Sequence, residues 1–242
     1  MNPVRRLGRG ASRLVGGFRR LAGFSQFLVV LAVVAVVAAG VLAFRIVSAP
    51  DPSNVDSIDS VRVGPSDGTS IPAYVAASAR SLAGLRGTAP VVALVSFREY
   101  RTASSATALL SGSGAKLAFA RVPLAGLQTR LASFAVVNPA TDLAAGLAAL
   151  ASARSAEAAR SPDSAGAAVA RKEAAAYRSG CACLYGAAIV APPTALRAFA
   201  LRVGVRAVEP APSVVNVYQA VFLPLLPEQV SVVTPPPDSA AP

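Results

Sequence analysis

The chain has 242 residues, 23 basic against 12 acidic, a net charge of +11 and no histidine. The missing histidine excludes Ser-His-Asp triads, Cys-His nucleophile pairs, HExxH zinc hydrolases and every histidine metal site. The charge is uneven: Arg5, Arg6, Arg9, Arg13, Arg19 and Arg20 supply six of it, and residues 46–242 hold only +4.

Residues 1–23 read as a basic cytoplasmic tail whose six arginines reach lipid phosphates at a membrane surface. Phe27 to Phe44 then form 18 apolar residues without a charge. About 20 such residues cross about 30 Å of hydrocarbon. The sequence therefore predicts a single transmembrane helix over 24–45, in contact with membrane lipid, with everything after it extracytoplasmic. The competing reading is a cleaved signal peptide ending at Val47-Ser48-Ala49. Arginine outnumbers lysine 21 to 2 and alanine is abundant. Together with the apolar run, this bias resembles single-pass envelope proteins of high-GC Gram-positive bacteria.

Residues 46–70, rich in Pro, Ser, Asp and Gly, read as a spacer with a short strand at Val61-Arg62-Val63. The domain proper is expected over 71–233. Its first helix follows Ser70 and Pro72 and stops at Gly84 and Gly87. Two similar units come next. In the first, an apolar strand over 91–97 leads to a helix over about 101–111 and a strand over 116–122. In the second, a strand over 184–190 leads to a helix opened by Pro192-Pro193. That helix carries Leu196, Phe199, Ala200 and Val203 at core spacing, Gly204 stops it, and a strand follows over 205–208.

Strand–helix–strand twice predicts an α+β fold with a ferredoxin-like βαββαβ sheet. Between the units, Asn138-Pro139 and Ser161-Pro162-Asp163 look like helix starts, predicting an α-helical hairpin inserted over 139–179. It either projects as an arm or folds back over the sheet. Val214 to Leu226 reads as an extra strand or short helix, and 234–242 as a disordered tail. Ala195-Leu196-Arg197-Ala198-Phe199 followed by Gly204-Val205-Arg206-Ala207-Val208-Glu209-Pro210 resembles the closing helix and strand of subtilisin-propeptide-like domains. That resemblance covers residues 195–210 and implies a ferredoxin-like fold and regulation of an extracellular protease.

The remaining chemistry is sparse. Ser113-Gly114-Ala115-Lys116 spells S-x-x-K but lacks the S-D-N and K-T-G companions of penicillin-binding enzymes. The carboxylates form no close pair suited to acid–base work, and Glu157 with Arg160 reads as a surface pair. Cys181 and Cys183, the only cysteines, can form an internal disulfide, bond between subunits or remain buried thiols. No catalytic residue, cofactor site or metal site is expected. Nucleic acid is not an expected partner either, because the arginines beyond residue 46 are scattered and the chain has no tryptophan. The functional expectation is a non-enzymatic, membrane-anchored envelope protein. Its extracytoplasmic domain assembles with an envelope partner or with itself. Small-molecule sensing against Tyr74, Tyr100 or Tyr185 is the alternative, beside protease regulation.

Overall fold

A computed structural model of the protein describes residues 61–235. Its backbone is organised by five strands: β2 (Val91–Arg101), β3 (Ala115–Ala120), β4 (Ala132–Ala135), β5 (Leu184–Ala191) and β6 (Val205–Pro210). They form one sheet in the order β4-β3-β5-β2-β6. Every neighbouring pair is antiparallel. The two strand–helix–strand units interleave, so that β2 of the first unit and β5 of the second lie side by side at the centre.

Both faces of this sheet are buried, and the strands alternate accordingly. Ala93, Val95 and Phe97 of β2 join Ala118, Ala187 and Ile189 in a core covered by helices. Those helices are α1 (Ile71–Gly84), α2 (Ala103–Leu110), α3 (Pro139–Arg160), α4 (Ala165–Arg178) and α5 (Pro193–Ala200). They contribute Leu82, Leu110, Leu143, Leu147, Tyr177, Leu196 and Phe199. Each such large side chain stabilises the fold by about 1.5–3 kcal/mol on burial. The opposite face presents Val92, Leu94, Leu117, Phe119 and Tyr185. It is covered mainly by an irregular strap that contributes Val214, Val217, Phe222 and Leu226, while Ile71 and Tyr74 of α1 pack against Ala207 of β6 beside it. Within this strap a single 3-10 turn (Val217–Gln219) precedes β7 (Ala220–Phe222), which pairs in parallel with β1 (Val61–Val63). Gly186 lets the strap approach: a Cβ there would stand 2.7 Å from Val95 O and 2.8 Å from Pro224 Cβ. The buried Ser96 hydroxyl accepts the Leu225 backbone N–H at 2.9 Å, holding the strap to β2.

The hairpin folds back at its root. Leu143, Leu147 and Leu150 enter the sheet core, and Gly146 sits over the Phe134 ring. Its distal half closes on itself through Ala158, Ala167 and Ala170, small side chains that bring the two helices together. Asn138 caps α3 by accepting the Ala140 N–H at 3.1 Å, with Pro139 in the first turn. The second helix starts later than Ser161-Pro162-Asp163 suggests, because Ser164 is its cap, accepting the Ala167 N–H at 3.1 Å. Ser70 precedes α1 but its side chain makes no cap bond.

Several expectations require correction. The sheet has five antiparallel strands rather than the four of a βαββαβ unit, because β4 adds an edge beyond β3. Among the described residues no helix is long and apolar enough to cross a membrane. The longest, α3, has 22 residues but carries Asp142, Arg154, Glu157 and Arg160. The fold class is therefore α+β with a five-stranded antiparallel sheet. The single-pass topology, with its cytoplasmic N-terminus and extracytoplasmic domain, is set aside. The segments that suggested it lie outside the described residues: the tail over 1–23 with its six arginines, the apolar run over 24–45 and the spacer up to residue 60. Residues 236–242 lie outside them too, while Thr234, placed in the C-terminal tail, accepts a bond from Gln229 Nε2 at 2.8 Å.

Candidate functional site

The expected cysteine pair is joined as a disulfide, with Cα atoms 5.4 Å apart. The pair stands in the loop before β5, not within the strand. Gly180, at φ 72°, turns the chain at the end of α4. The Cys181 N–H then donates to Ala176 O and the Gly180 N–H to Tyr177 O. This is the six-to-one bond of a glycine C-cap. Cys183 is fully buried and its backbone N–H donates to Arg101 O at 3.0 Å, so the bridge closes a three-residue ring within the loop that joins the hairpin to β5.

The three tyrosines named for a ligand cavity are engaged inside the protein. Tyr74 donates to Glu209 at 2.7 Å. Tyr100 donates to Glu228 Oε2 at 2.9 Å and accepts from Arg121 Nη1 at 2.9 Å. Tyr185 is buried and stacks edge-on to Tyr100, with centroids 6.2 Å apart. Burial raises all three phenols, so each is a neutral donor at ordinary pH. A surface pocket of about 270 Å³ is lined by Glu228, Gln229, Val230, Ser231, Val232, Thr234 and Pro235, and none of the three tyrosines is among its lining residues. Ser113 and Lys116 of the S-x-x-K motif occupy the turn before β3 and β3 itself, away from any helix start.

Two carboxylates of the hairpin are structural. Glu173 is fully buried and pairs with Arg154, while its Oε1 accepts the Arg130 backbone N–H at 2.6 Å. Glu157 pairs with Arg154 and, at 3.0 Å, with Arg130, not with Arg160. Burial alone would raise the Glu157 carboxyl, but bonds and charge from Arg154 and then Arg130 outweigh it and hold the carboxyl below its ordinary value. A depressed acid stabilises the fold above its unfolded pKa, and that contribution is lost as pH falls through the folded value. Thermal melting from pH 7 to pH 3 will therefore show a falling midpoint. Glu157→Gln will start lower at pH 7 and fall less steeply; parallel curves would contradict this role.

The arrangement that stands out lies at the α5–β6 turn. Core spacing put Val203 inside, yet α5 ends at Ala200 and Val203 is 93% exposed. Leu201 is 86% exposed. Between them, Arg202 reaches back across the fold. Its guanidinium donates to Leu109 O at 2.6 Å and Ser111 O at 3.0 Å, and lies 4.8 Å from the Phe199 ring centroid. These bonds satisfy carbonyls at the end of α2 and fix the turn. Gly204, at φ 93°, closes it, and the Arg101 guanidinium covers the position its Cβ would take. Arg98 adds two bonds: its backbone N–H donates to Gly204 O at 2.9 Å and its Nε to Val205 O at 3.0 Å. The turn is thus a rigid mount for two solvent-facing aliphatic side chains. Sequence periodicity missed it; the Leu-Arg-Val-Gly order at a helix end was the available signal.

No family model, curated protein or solved structure matches the chain.

Proposed function

We propose that the domain is a non-enzymatic protein–protein interaction module that assembles through the Leu201–Val203 turn. The observation that carries this reading is the pinning of that turn by Arg202, with Leu201 and Val203 left in solvent. A single exposed aliphatic residue needs no explanation, but exposed apolar groups on a rigid mount lose little entropy when a partner covers them. The internal use of Tyr74, Tyr100 and Tyr185 gives no comparable support to small-molecule sensing.

The test is a photo-crosslinking amino acid placed at position 203 of the full chain in the native host, beside a control at the exposed Ala182. Discrete adducts from position 203 that disappear with Leu201→Asp are the expected result. Identical patterns from both positions would overturn the reading.

A further inference from the structure

The turn is surrounded by positive charge that the fold leaves largely unneutralised. Arg98 and Arg101 reach the turn from β2, and Arg202 and Arg206 flank Gly204 in the turn and the strand that follows. Arg98 bonds Val205 O, and Arg202 bonds Leu109 O and Ser111 O. Arg206 donates to Leu226 O at 3.1 Å and also to Gln229 O. A carbonyl fixes a guanidinium in place but does not cancel its charge. Among the described residues, Arg101 alone of the four has an acidic partner, Glu99 at 2.9 Å, and that carboxylate is itself 70% exposed. Burial first, and the charge of Arg98 second, lower the Arg206 guanidinium, which places these two cations close enough to repel. Like charges placed side by side cost free energy, which a negatively charged partner would offset. Val230, next to the Gln229 carbonyl that Arg206 holds, is 75% exposed.

We infer that this surface binds an acidic protein segment whose apolar side chains cover Leu201 and Val203 while its carboxylates meet Arg98, Arg202 and Arg206. The inference rests on the interaction reading above and adds the chemistry of the partner. Arginine suits the role because a guanidinium has five N–H donors, so bonds to carbonyls leave others for a carboxylate. The apolar pair supplies desolvated contact, and the cations around it supply orientation and encounter rate. A second copy of this chain is a poor match, since like charges would then face one another.

The experiment titrates the full chain with three fluorescent peptides and reads anisotropy. One is an amphipathic peptide with leucines at i, i+3, i+4 and i+7 and glutamates elsewhere. The second replaces every glutamate by lysine, and the third scrambles the first. The glutamate peptide should bind at least about tenfold more tightly than either, and raising salt from 0.05 M to 0.5 M should weaken it by about tenfold, as for screened charges. Val203→Ser should weaken it several-fold with a thermal midpoint close to the parent's, and Arg98→Gln should weaken it several-fold with a lowered midpoint, because its bond to Val205 O is lost. Equal binding of the lysine peptide would overturn the acidic partner, and so would binding to phosphatidylserine vesicles in preference to the glutamate peptide. Failure of the peptides while position 203 still crosslinks overturns the acidic partner but keeps the interaction surface. Failure of both removes the two readings together.

Discussion

Replacing Glu173 by alanine will destabilise the protein by about 3–5 kcal/mol, the cost of breaking a buried ion pair from one side. Glu173 has no exposure, and its two oxygens serve different elements: one pairs with Arg154 of α3, the other accepts the Arg130 backbone N–H ahead of β4. Alanine leaves the buried Arg154 guanidinium short of one of its two carboxylates and removes an acceptor from the 121–131 loop. Glu173→Gln keeps an acceptor and will lose less. Exchanging both partners, Arg154→Met with Glu173→Leu, will recover most of the loss, since an apolar pair of similar volume avoids the desolvation of two ions. Urea midpoints measure all three. A loss below about 1 kcal/mol for Glu173→Ala would mean that the pair does not hold the hairpin to the loop.

Gly186→Leu will cost about 3 kcal/mol, the upper range for forcing extra atoms into a packed core. Gly186 lies on the central strand β5, facing Pro224 of the strap on one side and the Val95 carbonyl on the other. Neither neighbour can swing away as a flexible side chain would. The strap must lift, and the bond from the Leu225 N–H to Ser96 Oγ will open. Hydrogen exchange at Leu225 should then accelerate well beyond that at Val95, which stays within the β2–β5 ladder. Uniform acceleration across both would show global unfolding rather than a displaced strap.

Local chemistry made the regular elements legible. Asn138-Pro139 marks the start of α3 because a side-chain acceptor and a fixed φ both act within one turn. The strands β2 and β5 stand out because burial on both faces makes them nearly continuous in apolar residues. The misses share a different cause. Val203 follows Leu196, Phe199 and Ala200 at helical spacing, but what ends the helix is a set of contacts from Arg98, Arg101 and Arg202 to backbone far away in sequence. Strand β4 is four residues of mixed exposure, with too little pattern to announce itself. Glu173 sits among Arg171, Lys172 and Arg178 in sequence, with nothing local to mark it as buried. Its partner Arg154 is 19 residues away on the other helix of the hairpin. The Leu201–Val203 turn was illegible for the same reason: it is held by tertiary bonds, and its exposure contradicts its spacing.

The interleaving of the two units has a consequence for how the chain is made. Leu94 and Ala188, opposed at the centre of the sheet, are 94 residues apart in sequence. A polypeptide emerging from the ribosome therefore holds β2 and β3 without the strand that must lie between them. The first half can form helices, but its sheet stays open along two hydrophobic edges until β5 is synthesised. Such long-range pairing is slow to nucleate. Slower synthesis across residues 136–191 is therefore expected to prolong that exposure and lower the yield of folded protein, which expression with synonymous rare codons in that stretch would measure.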